Sequence, residues 1–166
     1  FARDAIGLLD ELGEERAHVL GHSMGGRVAQ WMAIDSKPRV ASLVLASSGA
    51  GGHVDVPSNP DDASRHARVA IENIGYREYV EDLQRRTFFT PEFLAERPAV
   101  AQALAESFWA SRPSLPDYLK HVAARQQHDA RNALVHITQD TLVIVGDRDT
   151  HHGRTGSHLV QSQHLA

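Results

Sequence analysis

At 166 residues, 42% apolar and 23% charged, the chain suits one globular domain with a core of its own. A formal charge of −4, spread along the chain, gives no footprint for nucleic acid or an anionic membrane, and a cysteine count of zero excludes disulfide and thiolate chemistry. No apolar run reaches transmembrane length and no signal-peptide pattern opens the chain, so a cytoplasmic location is expected. Phe1 stands where a methionine would begin a gene product, and no capping residue precedes the first helical pattern; the true amino terminus is expected upstream.

Ala5, Leu8, Leu9 and Leu12 fall at i, i+3, i+4 and i+7, the spacing of one helix face, and Gly13 is placed to end that helix. Ala17–Gly21 reads as a short strand, followed by Ser23 and a second helix. In that helix Gly25, Val28, Ala29, Met32 and Ala33 share a face, with Trp31 and Ile34 making the other side apolar too. Ser42–Ala46 reads as a strand apolar enough to be buried on both faces. Strand, helix and strand at this spacing predict a parallel βαβ unit.

After a loop holding Gly49, Gly51, Gly52 and Pro57, residues 59 to about 137 read as helical throughout. Asn59-Pro60 and Thr90-Pro91 each pair a capping residue with proline at the first helical position. Four apolar sets keep helical spacing: Ala63, Ala67, Ala70, Ile71 and Ile74; Tyr76, Tyr79, Val80 and Leu83; Val100, Ala103, Leu104 and Phe108; Leu115, Tyr118, Leu119 and Val122. Thr141–Val145 then reads as a buried strand ending at Gly146-Asp147-Arg148-Asp149. A helical block interrupts a parallel sheet.

The chemistry centres on Gly21-His22-Ser23-Met24-Gly25, a G-x-S-x-G pattern. A tight strand-to-helix turn holds the serine in a strained conformation with its hydroxyl exposed. Residues two before and two after the serine approach closely, so glycine suits both Gly21 and Gly25. The helix that begins there aims amide N–H groups at developing negative charge, and that of Met24 is the natural first oxyanion donor. The same pattern also suits a turn that uses glycine only for close packing. His22 is expected to be a spacer, because the turn sends neighbouring side chains in different directions. Asp147 and Asp149 lie just past the last strand, where open parallel sheets collect functional groups, although aspartate also favours turns for its own sake. Eleven histidines invite a metal reading, but His151, His152 and His158 lack H-E-x-x-H spacing, so neither a metal nor a cofactor is expected.

In this order, Val19–Gly26, Leu43-Val44-Leu45 and Leu142–Asp149 resemble the α/β-hydrolase superfamily. Arg27-Val28-Ala29-Gln30-Trp31 is similar to its esterase and 3-oxoadipate enol-lactonase-like group. The resemblance implies an α/β fold with parallel strands and flanking helices. Residues 1–52 and 138–166 would form a partial hydrolase core, and residues 53–137 an inserted helical lid. It implies Ser23 as nucleophile, Met24 N–H as oxyanion donor and Asp149 as the triad acid, with Asp147 as the fallback.

The family's histidine follows one further helix and strand, beyond Ala166, and its second oxyanion donor precedes Phe1. The chain is therefore expected to be an internal piece of a longer hydrolase and inactive alone. His151 and His152 sit too close to Asp149 to bridge it to Ser23. His158 and His164 fall on a last helix expected outside the sheet. The implied partner is a small-molecule substrate, an ester or lactone held under the lid; oligomeric state is not legible. Phe88, Phe89, Phe108, Trp109 and Tyr118 would line an apolar pocket or simply pack the lid helices together. Thioester and carbon–carbon bond hydrolysis use the same serine, and a non-catalytic binding protein on this scaffold is the alternative.

Overall fold

The computed structural model describes residues 1–51, 60–146 and 149. The chain divides into two compact units, Phe1–Val56 with Gln127–Ala166, and Pro57–Gln126.

The first unit opens with helix α1 (Ala2–Glu11). Gly13, at φ 69°, ends it: Gly13 N–H donates to Asp10 O and Glu14 N–H to Leu9 O, which satisfies two of the helix's last carbonyls. Strand β1 (Ala17–His22), helix α2 (Met24–Asp35) and strand β2 (Val40–Ala46) follow as the expected βαβ unit. Strand β3 (Thr141–Ile144) completes a three-stranded sheet in the order β1-β2-β3, parallel throughout.

The register sets one face of that sheet. Val19 pairs with Leu43, Gly21 with Leu45, and Leu43 and Leu45 with Thr141 and Val143. On this face Leu43 and Leu45 join Ala29, Met32 and Ala33 of α2, Val40, Ala50, Ala130, Leu134 and Ile137 in one buried cluster. Ala2, Ala5, Ile6 and Leu9 of α1 pack against the same cluster.

Two sequence expectations change here. Helix α1 packs through the partly buried Ala2, Ala5, Ile6 and Leu9, while Leu8 and Leu12 are exposed. Both sets fit helical spacing, and packing against α2 selects between them. Strand β2, expected to be buried on both sides, fully buries only one. Leu20, Val44 and Leu142 form a register row on the other face, where Leu20 is 69% and Leu142 56% exposed. Alternation at period two puts these residues opposite the side that α1 and α2 cover.

The second unit is helical: α3 (Pro60–Ile74), α4 (Tyr76–Phe88), α5 (Pro91–Glu96), α6 (Pro98–Ala110) and α7 (Leu115–Gln127). Thr90 caps α5 as expected, its hydroxyl accepting from Phe93 N–H at 3.2 Å, whereas Asn59 lies outside the described residues. Ala67, Leu119 and Val122 form its buried cluster, packed by Tyr79, Leu115 and Tyr118. Trp109, Tyr76 and Tyr118 meet edge-on or tilted with centroids 5.4 Å apart, and Arg112 stacks on Trp109 at 4.2 Å. Burial pushes the Tyr118 hydroxyl far above its ordinary pKa. On α6 the buried residues are Ala101 and Ala105, so the expected face of Val100, Leu104 and Phe108 is exposed instead.

Helix does not continue to residue 137. After α7 the chain re-enters the first unit, where Asp129 turns it: the carboxylate accepts Arg131 N–H at 3.1 Å and the Arg131 guanidinium at 2.7 and 2.9 Å. These local bonds and the burial of Ala130, Leu134 and Ile137 outweigh helix propensity. Gly51 bridges antiparallel to Asp129, and Ala130 N–H donates to Ala50 O at 2.7 Å. Trp31 Nε1–H donates to His128 Nδ1 at 3.1 Å beside this bridge.

Among the described residues, no helix is long and apolar enough to cross a membrane. Leu45, wholly buried at the centre of the sheet cluster, is expected to cost about 2–5 kcal/mol when replaced by alanine. The exposed Val135 should cost less than about 1 kcal/mol, and urea unfolding of Leu45→Ala and Val135→Ala measures the difference.

Candidate active site

Ser23 occupies the joint between β1 and α2 with φ 51° and ψ −117°, a sparsely populated conformation for a residue with a side chain. Strand β1 delivers it, and Ser23 N–H donates to Ala46 O of the neighbouring strand at 2.9 Å. Its own carbonyl accepts from Gly26 N–H at 3.1 Å, closing the turn into α2. A serine at this position commonly bonds its hydroxyl to the helix amides. Here the side chain makes no such bond, and among the described residues Oγ is uncommitted at the amino end of a helix of 12 residues. Met24 is the first helical residue, so its amide belongs to the set that no carbonyl of the helix can satisfy.

Glycine serves the turn at positions that differ in part from the expected pair. A side chain on Gly21 would strike the backbone of Gly25 and Gly26. Gly25, by contrast, has open space around its Cβ position. The second close approach is at Gly26, where an added carbon would collide with the side chain of Ser48. The adjacent Gly25-Gly26 pair was the signal for this in the sequence.

His22 lies on the exposed face of β1, at alternate positions with Leu20 and His18, and His18 Nδ1 is 2.7 Å from Ser42 Oγ. Asp149 follows β3 and is half-buried; its N–H donates to Gly146 O at 3.1 Å, a turn at the carboxyl end of the strand. Asp147 and the histidines at 151, 152, 158 and 164 lie outside the described residues. Ser23 and Asp149 therefore emerge at the same end of a parallel sheet, from strands separated by β2 alone. Two inter-strand steps amount to about 10 Å.

Between them lies a residue that sequence reasoning missed. Ser47 is the other non-glycine residue at positive φ among those described (41°), and its N–H donates to Ile144 O at 2.8 Å. No recognisable sequence signal marks it beyond a Ser-Ser-Gly run after a strand. Of the expected aromatic set, Trp109 and Tyr118 pack within the helical unit, while Phe88 and Phe108 are exposed and Phe89 stacks on Phe93 at 5.3 Å. Among the described residues, no group of three or more His, Asp or Glu side chains is arranged to hold a metal ion.

A strained serine between a parallel strand and a buried helix, on a sheet interrupted by a helical unit, defines the class. Residues 1–151 match the family model described as alpha/beta hydrolase fold, and the chain belongs to that family. It is 35% identical over 147 residues to a 2-hydroxy-6-oxononadienedioate/2-hydroxy-6-oxononatrienedioate hydrolase from Cupriavidus pinatubonensis, covering 86% of this chain and 49% of that protein. It is 30% identical over 149 residues to 3-oxoadipate enol-lactonase 1 from Acinetobacter baylyi, covering 90% and 53%. The chain thus spans about half the length of these relatives. Among solved structures, a hydrolase from Pseudomonas aeruginosa PA01 superposes with a TM-score of 0.84 at 26% identity, covering 99% of this chain and 59% of that one. The enol-lactonase from Burkholderia xenovorans LB400 shares the fold with a TM-score of 0.82 at 23% identity, covering 99% and 60%.

Gly21→Ala and Gly26→Ala are each expected to destabilise the protein by about 3 kcal/mol or more, because backbone or a fully buried side chain must move. Gly25→Ala should be neutral or stabilising by up to about 1 kcal/mol, since the position is helical and open. Denaturant midpoints of the three variants rank them.

Proposed function

We propose that the protein is a serine hydrolase in which Ser23 is the nucleophile and Asp149 orients the histidine that serves as general base. The observation that carries this reading is the uncommitted Ser23 hydroxyl on a strained backbone at the start of α2. Such strain, on the order of 1–3 kcal/mol, is retained where it places a reactive group. The gap of about 10 Å between the ends of β1 and β3 suits an imidazole bonded to a serine on one side and a carboxylate on the other.

In the reaction, the histidine takes the Ser23 proton as Oγ attacks the substrate carbonyl carbon. Negative charge moves to the carbonyl oxygen, where the Met24 N–H and the α2 amino terminus stabilise it. Collapse expels the alcohol, which receives the proton from the histidine, and leaves an acyl-enzyme. Water then attacks the acyl carbon, returns the Ser23 hydroxyl and releases the acid. The substrate is a small ester or lactone.

A second reading of the substrate is favoured by the relative at 35% identity, whose name specifies an oxo dienedioate rather than an ester. The two readings share the nucleophile and separate by substrate. Comparing kcat/KM for an enol-lactone and for a 6-oxo dienedioate, in the protein of full length, distinguishes them.

A fluorophosphonate probe is expected to form a covalent adduct that maps to Ser23 by mass spectrometry, and Ser23→Ala should abolish both labelling and turnover. Labelling at another residue would refute the assignment. Asp149→Asn is expected to lower kcat by about 10⁴-fold, as loss of the orienting acid does in other triads, and Asp147→Asn by far less. Equal losses would move the acid to a shared role.

A further inference from the structure

Behind the elbow, two polar side chains are sealed from solvent with an atom each left over. Ser48 is 1% exposed and Gln30 is wholly buried. Neither Ser48 Oγ nor Gln30 Oε1 has a hydrogen-bond partner among the described residues. The Gln30 orientation is fixed by its other end, because Nε2–H donates to Gly49 O at 3.2 Å and the flipped amide would set oxygen against oxygen.

The two atoms share one seam. Gly26 and Gln30 lie one helical turn apart on the same face of α2. Gly26 abuts the Ser48 side chain, and Gln30 bonds the carbonyl of the very next residue, Gly49. An alanine would fill the place of Ser48 with the same carbon and no orphaned hydroxyl, so the oxygen calls for a partner. Gln30 Oε1 only accepts, and the hydroxyl both donates and accepts. A water molecule has the valences for both, one O–H to donate to Gln30 Oε1 and a bond to exchange with Ser48 Oγ.

We propose that Ser48 and Gln30 hold an internal water that pins the first turns of α2 to the exit of β2, making Ser48 a positioning residue for the elbow. This rests on the reading of Ser23 as nucleophile. Ser48 touches no reacting atom. It acts through Gly26, whose N–H closes the turn on Ser23 O, and so fixes the direction of the Met24 amide. Small displacements of such a donor carry large rate penalties.

Ser48→Ala tests this in the protein of full length, since it keeps the carbon against Gly26 and removes the oxygen. The expected result is a Tm lower by about 2–4 °C. With an aryl acetate as probe, kcat should fall on the order of tenfold while KM changes little. A Tm that is unchanged or raised overturns the water site, because alanine would then merely relieve an orphaned hydroxyl. A lowered Tm with kcat intact overturns the positioning role. A crystal structure of the unaltered protein gives a second reading: a water bonded to both Ser48 Oγ and Gln30 Oε1 supports the site, and two side chains bonded directly to each other overturn it. If turnover proves independent of Ser23, the catalytic reading falls and the positioning role with it. The thermal and crystallographic results still judge the water.

Discussion

The backbone at Ser23 takes φ 51° and ψ −117°, and the elements around it hold that conformation in place. Strand β1 ends where the β2 carbonyl of Ala46 receives the Ser23 amide, which fixes the direction of entry. Helix α2 must then start immediately, and it does so only because Gly21 lets the backbone of Gly25 and Gly26 pass against it. A side chain at either Gly21 or Gly26 would push the helix off the strand. The apolar cluster of Ala29, Met32, Ala33, Leu43 and Leu45 holds the helix down on the sheet. Burial of Met32, Leu43 and Leu45 alone, at about 1.5–3 kcal/mol each, exceeds the strain of one residue.

The parts of this structure that were legible in the sequence are those governed by local chemistry. Gly21-His22-Ser23-Met24-Gly25-Gly26 places a turn and a helix start within six residues, with the half-buried Ser23 at the joint. Three apolar runs at the expected intervals became β1, β2 and β3, and Gly13 and Thr90 ended and began helices as their chemistry requires. What failed was the choice among faces. In α1 the leucines at 8 and 12 look more apolar than Ala2 and Ala5, yet small residues allow the closer approach to α2. In α6 the same preference for alanine at a helix contact leaves Val100, Leu104 and Phe108 outside. Periodicity reports that a face exists; the partner decides which one.

Two features of the candidate site lay beyond any local pattern. Ser47 adopts a positive φ because its amide reaches Ile144 O across the sheet, a contact between residues about a hundred positions apart. Ser48 is buried because Gly26, not Gly25, is the glycine under it. Likewise the return of the chain to the sheet at Asp129 is decided by its pairing with Gly51, and composition around residues 128–137 gives no hint of it. Long-range pairing of this kind overrides propensity without leaving a mark in the sequence.

That pairing also has an evolutionary reach. Because Gly51 and Asp129 are bridged, the long excursion between them leaves and rejoins the first unit at a single point. To the strands on either side it is a closed loop of arbitrary size. Loop closure grows only logarithmically, at about 0.6 kcal/mol for each doubling of length. The excursion can therefore be lengthened, trimmed or exchanged for an unrelated sequence while the three strands keep their register. Natural variation confined to such a detour changes the helical unit without reopening the problem of folding the sheet.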